Sequence, residues 1–449
     1  MRKFLIVLLF ICSNISAQEM PVILSMKERA ATIDKWLEER IKTVLPQLMR
    51  REQIDMWIIA AREYNEDPVI ETMLPATWLA ARRRTVLIVY DPGPEKQLET
   101  LAVARYDVGT QFKRSWEPEK QEDQWQRVVE IITEKNPQKI AINKSAHFAL
   151  ADGLTSSEFD SFMRVLPGES HKKVVSAERL AIGWLETRTQ SEMIVYQQIC
   201  AIAHQVIREG FSSNVIHPGI TTTDDLVWWF RERIRELKLV TWFHPSVSIQ
   251  RADPESFDHL RTFSSRPDNN VIQPGDLLHV DFGITYLRLN TDTQEHAYVL
   301  RPGETDAPDY LKKAFEAGNK LQEIFTANFQ TGKTGNEILS KSLKEAKDAA
   351  LKATIYTHPI GFHGHAAGPT IGLWDQQGGV PVTGDYPLYP NTAYSIELNN
   401  AYYVEEWKKE IRIMLEEDAF FDGKTVKYIN GRQKKLILIP GSAGTILGD

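Results

Sequence analysis

The stretch Leu277-Leu278-His279-Val280-Asp281-Phe282-Gly283 decides how the rest of the chain is read, together with Asn290-Thr291-Asp292-Thr293, whose aspartate lies eleven residues after Asp281. The first is an apolar strand that carries one carboxylate. The second places Asp292 at the start of another strand. A carboxylate set into an apolar strand is costly unless it is paired or coordinates a cation. Two of them on a hairpin can face one ion. Asp292 alone reads better as a turn-capping aspartate, so the weight falls on what surrounds the pair.

Further along, Tyr394-Ser395-Ile396-Glu397-Leu398 reads as a strand with Glu397 in its middle. Ile411 to Phe421 reads as another, carrying Glu416 and Glu417. His363-Gly364-His365-Ala366-Ala367-Gly368 reads as a Gly-rich turn that presents imidazoles. Seven of the eleven histidines fall between His244 and His365, which marks this part of the chain as the place to look for chemistry. Carboxylates and an imidazole gathered on strands suit two divalent ions that share oxygen ligands. Such a pair of ions activates water and clamps the oxyanion of an attacked carbonyl.

Composition sets the outer limits. The chain has 449 residues, 42% hydrophobic and 25% charged, the balance of a soluble globular protein of two or three domains. A net charge of −7 excludes the global basic field that nucleic acid requires. Two cysteines, Cys12 and Cys200, provide no disulfide framework. The opening MRKFLIVLLFICSNISAQ has a basic start, an apolar run and a small-residue exit. It reads as an export signal over residues 1–17, cleaved after Ala17, and implies a periplasmic or extracellular protein. The apolar run is too short to span a bilayer, and no later stretch approaches the length needed. Cys200, within the helical pattern IVYQQICAIAHQVI, reads as a packing residue.

Before the acidic strands the pattern is α/β. Met26 to Arg50 repeats apolar residues at helical spacing. Ile54 to Ala60, Thr85 to Tyr90, Leu101 to Tyr106 and Lys139 to Asn143 read as strands, and Gln124 to Lys135 as a helix. This predicts a small α/β domain over residues 18–180. Leu185 to Glu209 reads as one long helix, with Thr189 to Glu192 as a candidate cap. Thr223 to Leu237, Ala307 to Phe329 and Gly335 to Ala353 read as further helices, in a second domain over 181–449.

The ordered set Asp, Asp, His, Glu, Glu, with eleven residues between the aspartates, resembles the pita-bread metallopeptidases, in particular aminopeptidase P and prolidase. Pro274-Gly275-Asp276 leading into Val280-Asp281-Phe282-Gly283 matches that family's first ligand strand, and Glu186 to Glu192 resembles its entry to the catalytic domain. The resemblance implies a C-terminal pita-bread catalytic domain behind a smaller creatinase-like α/β domain. It implies two divalent ions, Mn²⁺ or in its place Co²⁺ or Zn²⁺, and hydrolysis of Xaa-Pro bonds in peptides by a hydroxide bridging the ions. Asp281 would chelate one ion, Asp292 and Glu416 would bridge both, and His365 and Glu397 would complete the second, with Glu397 also handling the proton of the attacking water. His259 matches the substrate-side histidine. A homodimer is implied by the resemblance alone. Two departures stand out. The family carries an arginine two residues before its last glutamate, where this chain has Met414, with Arg412 four before. A second catalytic histidine normally follows the ligand histidine by about seven residues; counted from His365 that position is Gly372, which leaves His363 or His358 to supply the proton. Alternatives are a relative acting on another C–N bond, as creatinase does, and a pita-bread module that binds peptides without cleaving them.

Overall fold

The computed structural model describes residues 20–253 and 270–441. The export-signal stretch and His259 therefore lie outside the described residues. Among the described residues, no helix is long and apolar enough to cross a membrane.

The N-terminal part is a six-stranded sheet. Its order is Lys113–Arg114, Glu99–Val103, Arg84–Tyr90, Met56–Arg62, Ile140–Ile142, Val174–Ser176. The central strand Met56–Arg62 runs antiparallel to Arg84–Tyr90 and parallel to Ile140–Ile142. Residues of the central strand alternate between two cores. Trp57 and Ile59 pack toward the long helix Met26–Glu52, while Met56 and Ile58 pack against the helix Gln124–Lys135. Burial on both faces explains why these strands are continuous apolar runs.

The expected helix over Leu185 to Glu209 is two helices, Glu178–Glu186 and Gln190–Gly210. Thr189 and Glu192 form a reciprocal capping box that starts the second one, which is why the chain breaks there. The same Glu192 pairs with Arg40 of the first long helix at 3.0 Å, both side chains fully buried. Arg188 lies 3.7 Å away on its other side. The long N-terminal helix is thus tied to the entry of the C-terminal part by an internal ion cluster.

The C-terminal part holds a two-stranded ribbon, Thr285–Tyr286 with Leu289–Asn290, and three larger sheets that meet at their edges. One is four-stranded, ordered Ile437–Ile439, Thr293–Val299, Leu277–Phe282, Ser246–Gln250. A second is Lys352–Ile355, Leu398–Val404, Lys409–Leu415, and a third is His358–Pro359, Thr392–Ser395, Asp418–Phe421, Val426–Tyr428. Helices Gln190–Gly210 and Thr223–Glu236 back the first sheet through Tyr196, Ile199, Phe230, Leu278 and Val280. Helices Asp309–Thr326 and Gly335–Asp348 back the second through Phe315, Leu321, Leu339, Leu398 and Ile413. The second of these helices stops short of the expected Ala353. Ala350 adopts φ +59°, and the chain turns there into the strand Lys352–Ile355.

Two further expectations are corrected. Glu397 is not in the middle of a strand: one strand ends at Ser395 and the next, in a different sheet, begins at Leu398. Glu416 likewise falls between the strands ending at Leu415 and starting at Asp418. Apolar runs on both sides hide these breaks, because a strand passing from one buried sheet to another keeps its hydrophobic pattern.

Candidate metal centre

The seams between the three sheets gather the acidic residues. Asp281 sits in Leu277–Phe282, and Asp292 immediately precedes the antiparallel partner strand Thr293–Val299. Gln294 and Glu416 join the first sheet to the others by an isolated bridge, with Gln294 N donating to Glu416 O at 3.0 Å. Glu397 is fixed at its own backbone by Thr357: its N–H donates to Thr357 Oγ1, and that hydroxyl donates to Glu397 O, both at 3.0 Å.

Oxygens of Asp281, Asp292 and Glu416 lie within 4.8 Å of one another. A second group at that spacing is His358, Glu397 and Glu416, and a third is Asp292, His358 and His365. Asp292 and Glu416 are 4% and 1% exposed. Burial, and then repulsion from Glu416, Asp281 and Glu397, raises the Asp292 carboxyl well above its usual range. Glu397 and Glu416 are raised for the same two reasons, burial first. Few neighbours relieve this. Ser395 Oγ donates to Glu416 Oε1 at 2.5 Å, and Gln294 Nε2 donates to Glu416 Oε2 at 2.6 Å and Glu397 Oε1 at 2.7 Å.

The structure redistributes the histidines. His358 Nε2 lies 3.7 Å from Asp292 Oδ2, 3.8 Å from Glu416 Oε1 and 4.0 Å from Glu397 Oε2. His358 Nδ1 faces the Pro359 carbonyl at 2.9 Å. A carbonyl only accepts, so Nδ1 carries the hydrogen and the lone pair is on Nε2, toward the carboxylates. Burial lowers the ring's pKa to about 3 and keeps it neutral. His365, expected as the ligand, is exposed and makes no ion pair with a carboxylate among the described residues. Its ring stacks edge-on to His358 at 4.7 Å and to Trp242 at 5.1 Å. Trp242 is held by its Nε1 donating to Thr291 O at 2.9 Å, and the loop approaches it so closely that a Cβ at Gly364 would come within 2.3 Å of the indole. His365 follows His358 by the seven residues that the family resemblance expects between ligand and second histidine. Gly372, where the count from His365 fell, has φ +76° and a Cβ there would meet Ile355 O at 2.1 Å, so no side chain fits. His363 joins none of the groups; burial holds its ring at a pKa of about 4.

Glu416 and Glu417 face opposite ways. Glu417 Oε2 meets His204 Nε2 at 2.8 Å, and its Oε1 accepts from Gln433 N at 2.8 Å, away from Asp281 and Asp292. Arg412 does not pair with Glu416. Its Nη1 donates to Asn399 Oδ1 at 3.0 Å, because Glu416 lies beyond the strand whose alternation would have aligned the two.

The site fits a pair of divalent ions on its own evidence. Asp292 Oδ1 and His358 Nε2 are buried with no hydrogen-bond partner, and both belong to groups with metal-ligand spacing. Clustered carboxylates beside a neutral imidazole are a donor set whose mutual repulsion a divalent cation would offset. The model of metallopeptidase family M24 matches residues 195–419, half of the chain, and spans all five of these residues. The chain belongs to metallopeptidase family M24. The fold agrees across both parts of the chain. X-Pro aminopeptidase from Thermotoga maritima MSB8 superposes with a TM-score of 0.61 at 16% identity, covering 87% of this chain and 99% of that one. Xaa-Pro dipeptidase from Bacillus anthracis gives 0.56 at 16%, covering 92% and 100%. Prolidase from Pyrococcus furiosus gives 0.54 at 14%, covering 86% and 99%. No curated protein sequence matches the chain. In this M24 chain, Gln294 and Thr357 escaped the sequence reading. Neither carries a motif, and only the pairing of Thr293–Val299 with Leu277–Phe282 brings His279 and Gln294 together.

Proposed function

We propose that this M24 chain is an exported, metal-dependent peptidase that hydrolyses the bond between a first residue and proline. The observation that carries the reading is the convergence of Asp281, Asp292, His358, Glu397 and Glu416, with Asp292 Oδ1 and His358 Nε2 buried and unpartnered. Support for the substrate class comes from fold neighbours that are X-Pro and Xaa-Pro peptidases and share the N-terminal sheet as well as the catalytic part. Support for export comes from the signal pattern of residues 1–17.

In this reading Asp281, Asp292, His358, Glu397 and Glu416 would hold the divalent ions. Bound divalent ions supply a lowered water pKa and a polarised carbonyl. The residues do the rest. Glu397, held by Thr357 and Gln294, takes the proton released by the attacking water. His365, exposed beside Trp242, contacts the substrate from the open side. The buried backs of Asp292 and Glu416 exclude competing water.

The test is the purified chain, residues 18–449, with Mn²⁺, Co²⁺ or Zn²⁺ in turn against Xaa-Pro dipeptides and longer Xaa-Pro peptides. Release of the first residue is expected, and its loss in Glu397→Gln. Absence of turnover with every metal and peptide length overturns the reading.

A further inference from the structure

Gln294 and His279 form a unit behind the carboxylates. They lie on neighbouring strands of the first sheet, Thr293–Val299 and Leu277–Phe282, both buried. Gln294 Nε2 has two hydrogens and two carboxylates to receive them, Glu397 Oε1 at 2.7 Å and Glu416 Oε2 at 2.6 Å. Its Oε1 lies 2.8 Å from His279 Nε2. Carboxylates only accept, so the amide nitrogen must face them and the amide oxygen must face His279, which therefore donates from Nε2. His279 is steadied in turn by packing of its ring against His296 at 5.1 Å. His296 is itself fixed at both nitrogens, by Leu278 O and by Met414 N–H, each at 3.0 Å. No guanidinium or ammonium forms an ion pair with Glu397 or Glu416 among the described residues. The amide of Gln294 thus takes the place a cation would have, and it does so across the seam between sheets.

We propose that Gln294, aimed by His279, is a positioning residue that sets the spacing and orientation of Glu397 and Glu416 for the metal ions. The proposal rests on the metallopeptidase reading above. A glutamine can hold two carboxylates at once without adding charge, one oxygen of each, while Glu416 Oε1 accepts from Ser395 Oγ. If His279 were lost, the amide could rotate and present its oxygen to a carboxylate, which repels it. Outer-shell partners of this kind typically change metal affinity about 10–100-fold.

The experiment is calorimetric titration of the full chain, stripped with EDTA, with Mn²⁺ at fixed pH. Wild type is compared with Gln294→Met, which keeps the volume and loses the donors, with His279→Leu, and with the double variant. Thermal melting in EDTA establishes that each variant folds. The expected result is Mn²⁺ binding weakened at least ~10-fold in Gln294→Met. His279→Leu should move in the same direction, and the double variant should be no weaker than Gln294→Met alone, since His279 acts through the amide. His279 meets the amide on the side opposite Glu397 and Glu416, so its variant carries the test if Gln294→Met does not fold. Unchanged Mn²⁺ affinity in Gln294→Met, or strictly additive losses, overturns the positioning role and leaves the metallopeptidase reading standing. A wild-type chain that takes up no metal overturns both.

Discussion

Exchanging the fates of His358 and His365 gives the sharpest test of the centre. His358→Ala removes an imidazole whose Nε2 lies 3.7 to 4.0 Å from three carboxylates and has no other partner. His365→Ala removes an exposed ring that packs edge-on to His358 and Trp242. Loss of an outer-shell partner costs roughly 10–100-fold in metal affinity, so loss of a direct ligand belongs at or beyond the upper end. For His358→Ala we expect the Kd for Mn²⁺ to rise ~100-fold or more, equivalent to about 2.8 kcal/mol at 1.4 kcal/mol per decade. His365→Ala should bind metal as wild type does and lose about 10²–10⁴-fold in kcat, the range for a proton-transfer group. The assay is metal content by mass spectrometry after dialysis, calorimetric titration, and steady-state kinetics on an Xaa-Pro peptide. Melting in EDTA confirms that both variants fold. Loss of metal from His365→Ala with full retention in His358→Ala would refute the assignment and return His365 to the ligand set.

Three other outcomes follow from the same geometry. Glu416→Gln should abolish metal uptake, whereas Glu417→Gln should retain it and instead lose ~1–3 kcal/mol of stability, read from the denaturation midpoint, because His204 is left with a weakened buried partner. Glu417 and Glu295 raise the His204 pKa from 6.5 to about 9 against the opposing effect of burial. Stability from that ionised ring is therefore full below about pH 6.5 and is lost as pH rises toward 9, and His204→Gln should flatten the alkaline limb of a Tm-against-pH curve. Arg40→Met leaves Glu192 buried and short of its main cation, and should lower stability by ~3–5 kcal/mol in a chemical melt.

Much of the fold was legible because burial leaves a period in the sequence. The helices Gln124–Lys135 and Thr223–Glu236 and the strands Arg84–Tyr90 and Leu277–Phe282 fall within a residue of their expected limits. The carboxylates were legible for the opposite reason, since Asp281 and Glu416 interrupt apolar runs. What the pattern hid were transitions between two buried states. Glu397 and Glu416 leave one sheet and enter another without a polar residue run to mark it. Of the histidines, His365 stands out in the sequence because a Gly-rich turn surrounds it, while His358 sits before a proline in a two-residue strand. Its role depends on the pairing of Pro359 with Tyr394 and of His358 with Ser395, which are distant in sequence. Gln294 has no signature at all, since its function comes from what stands opposite it.

The placement of the acidic residues at the seams between sheets has a consequence for how the protein comes into being on the ribosome. Translation delivers Asp281 and Asp292 first, His358 and Glu397 much later, and Glu416 last. The hairpin bearing the two aspartates can pair as soon as it emerges, yet it offers an ion only part of its coordination shell. Glu416 also bonds the backbone of Gln294, so the last of the proposed ligands is at the same time a stitch between sheets. On the function proposed above, a nascent chain would have no complete centre to act on its neighbours, and a product ending before Glu416 would be inert in the same way.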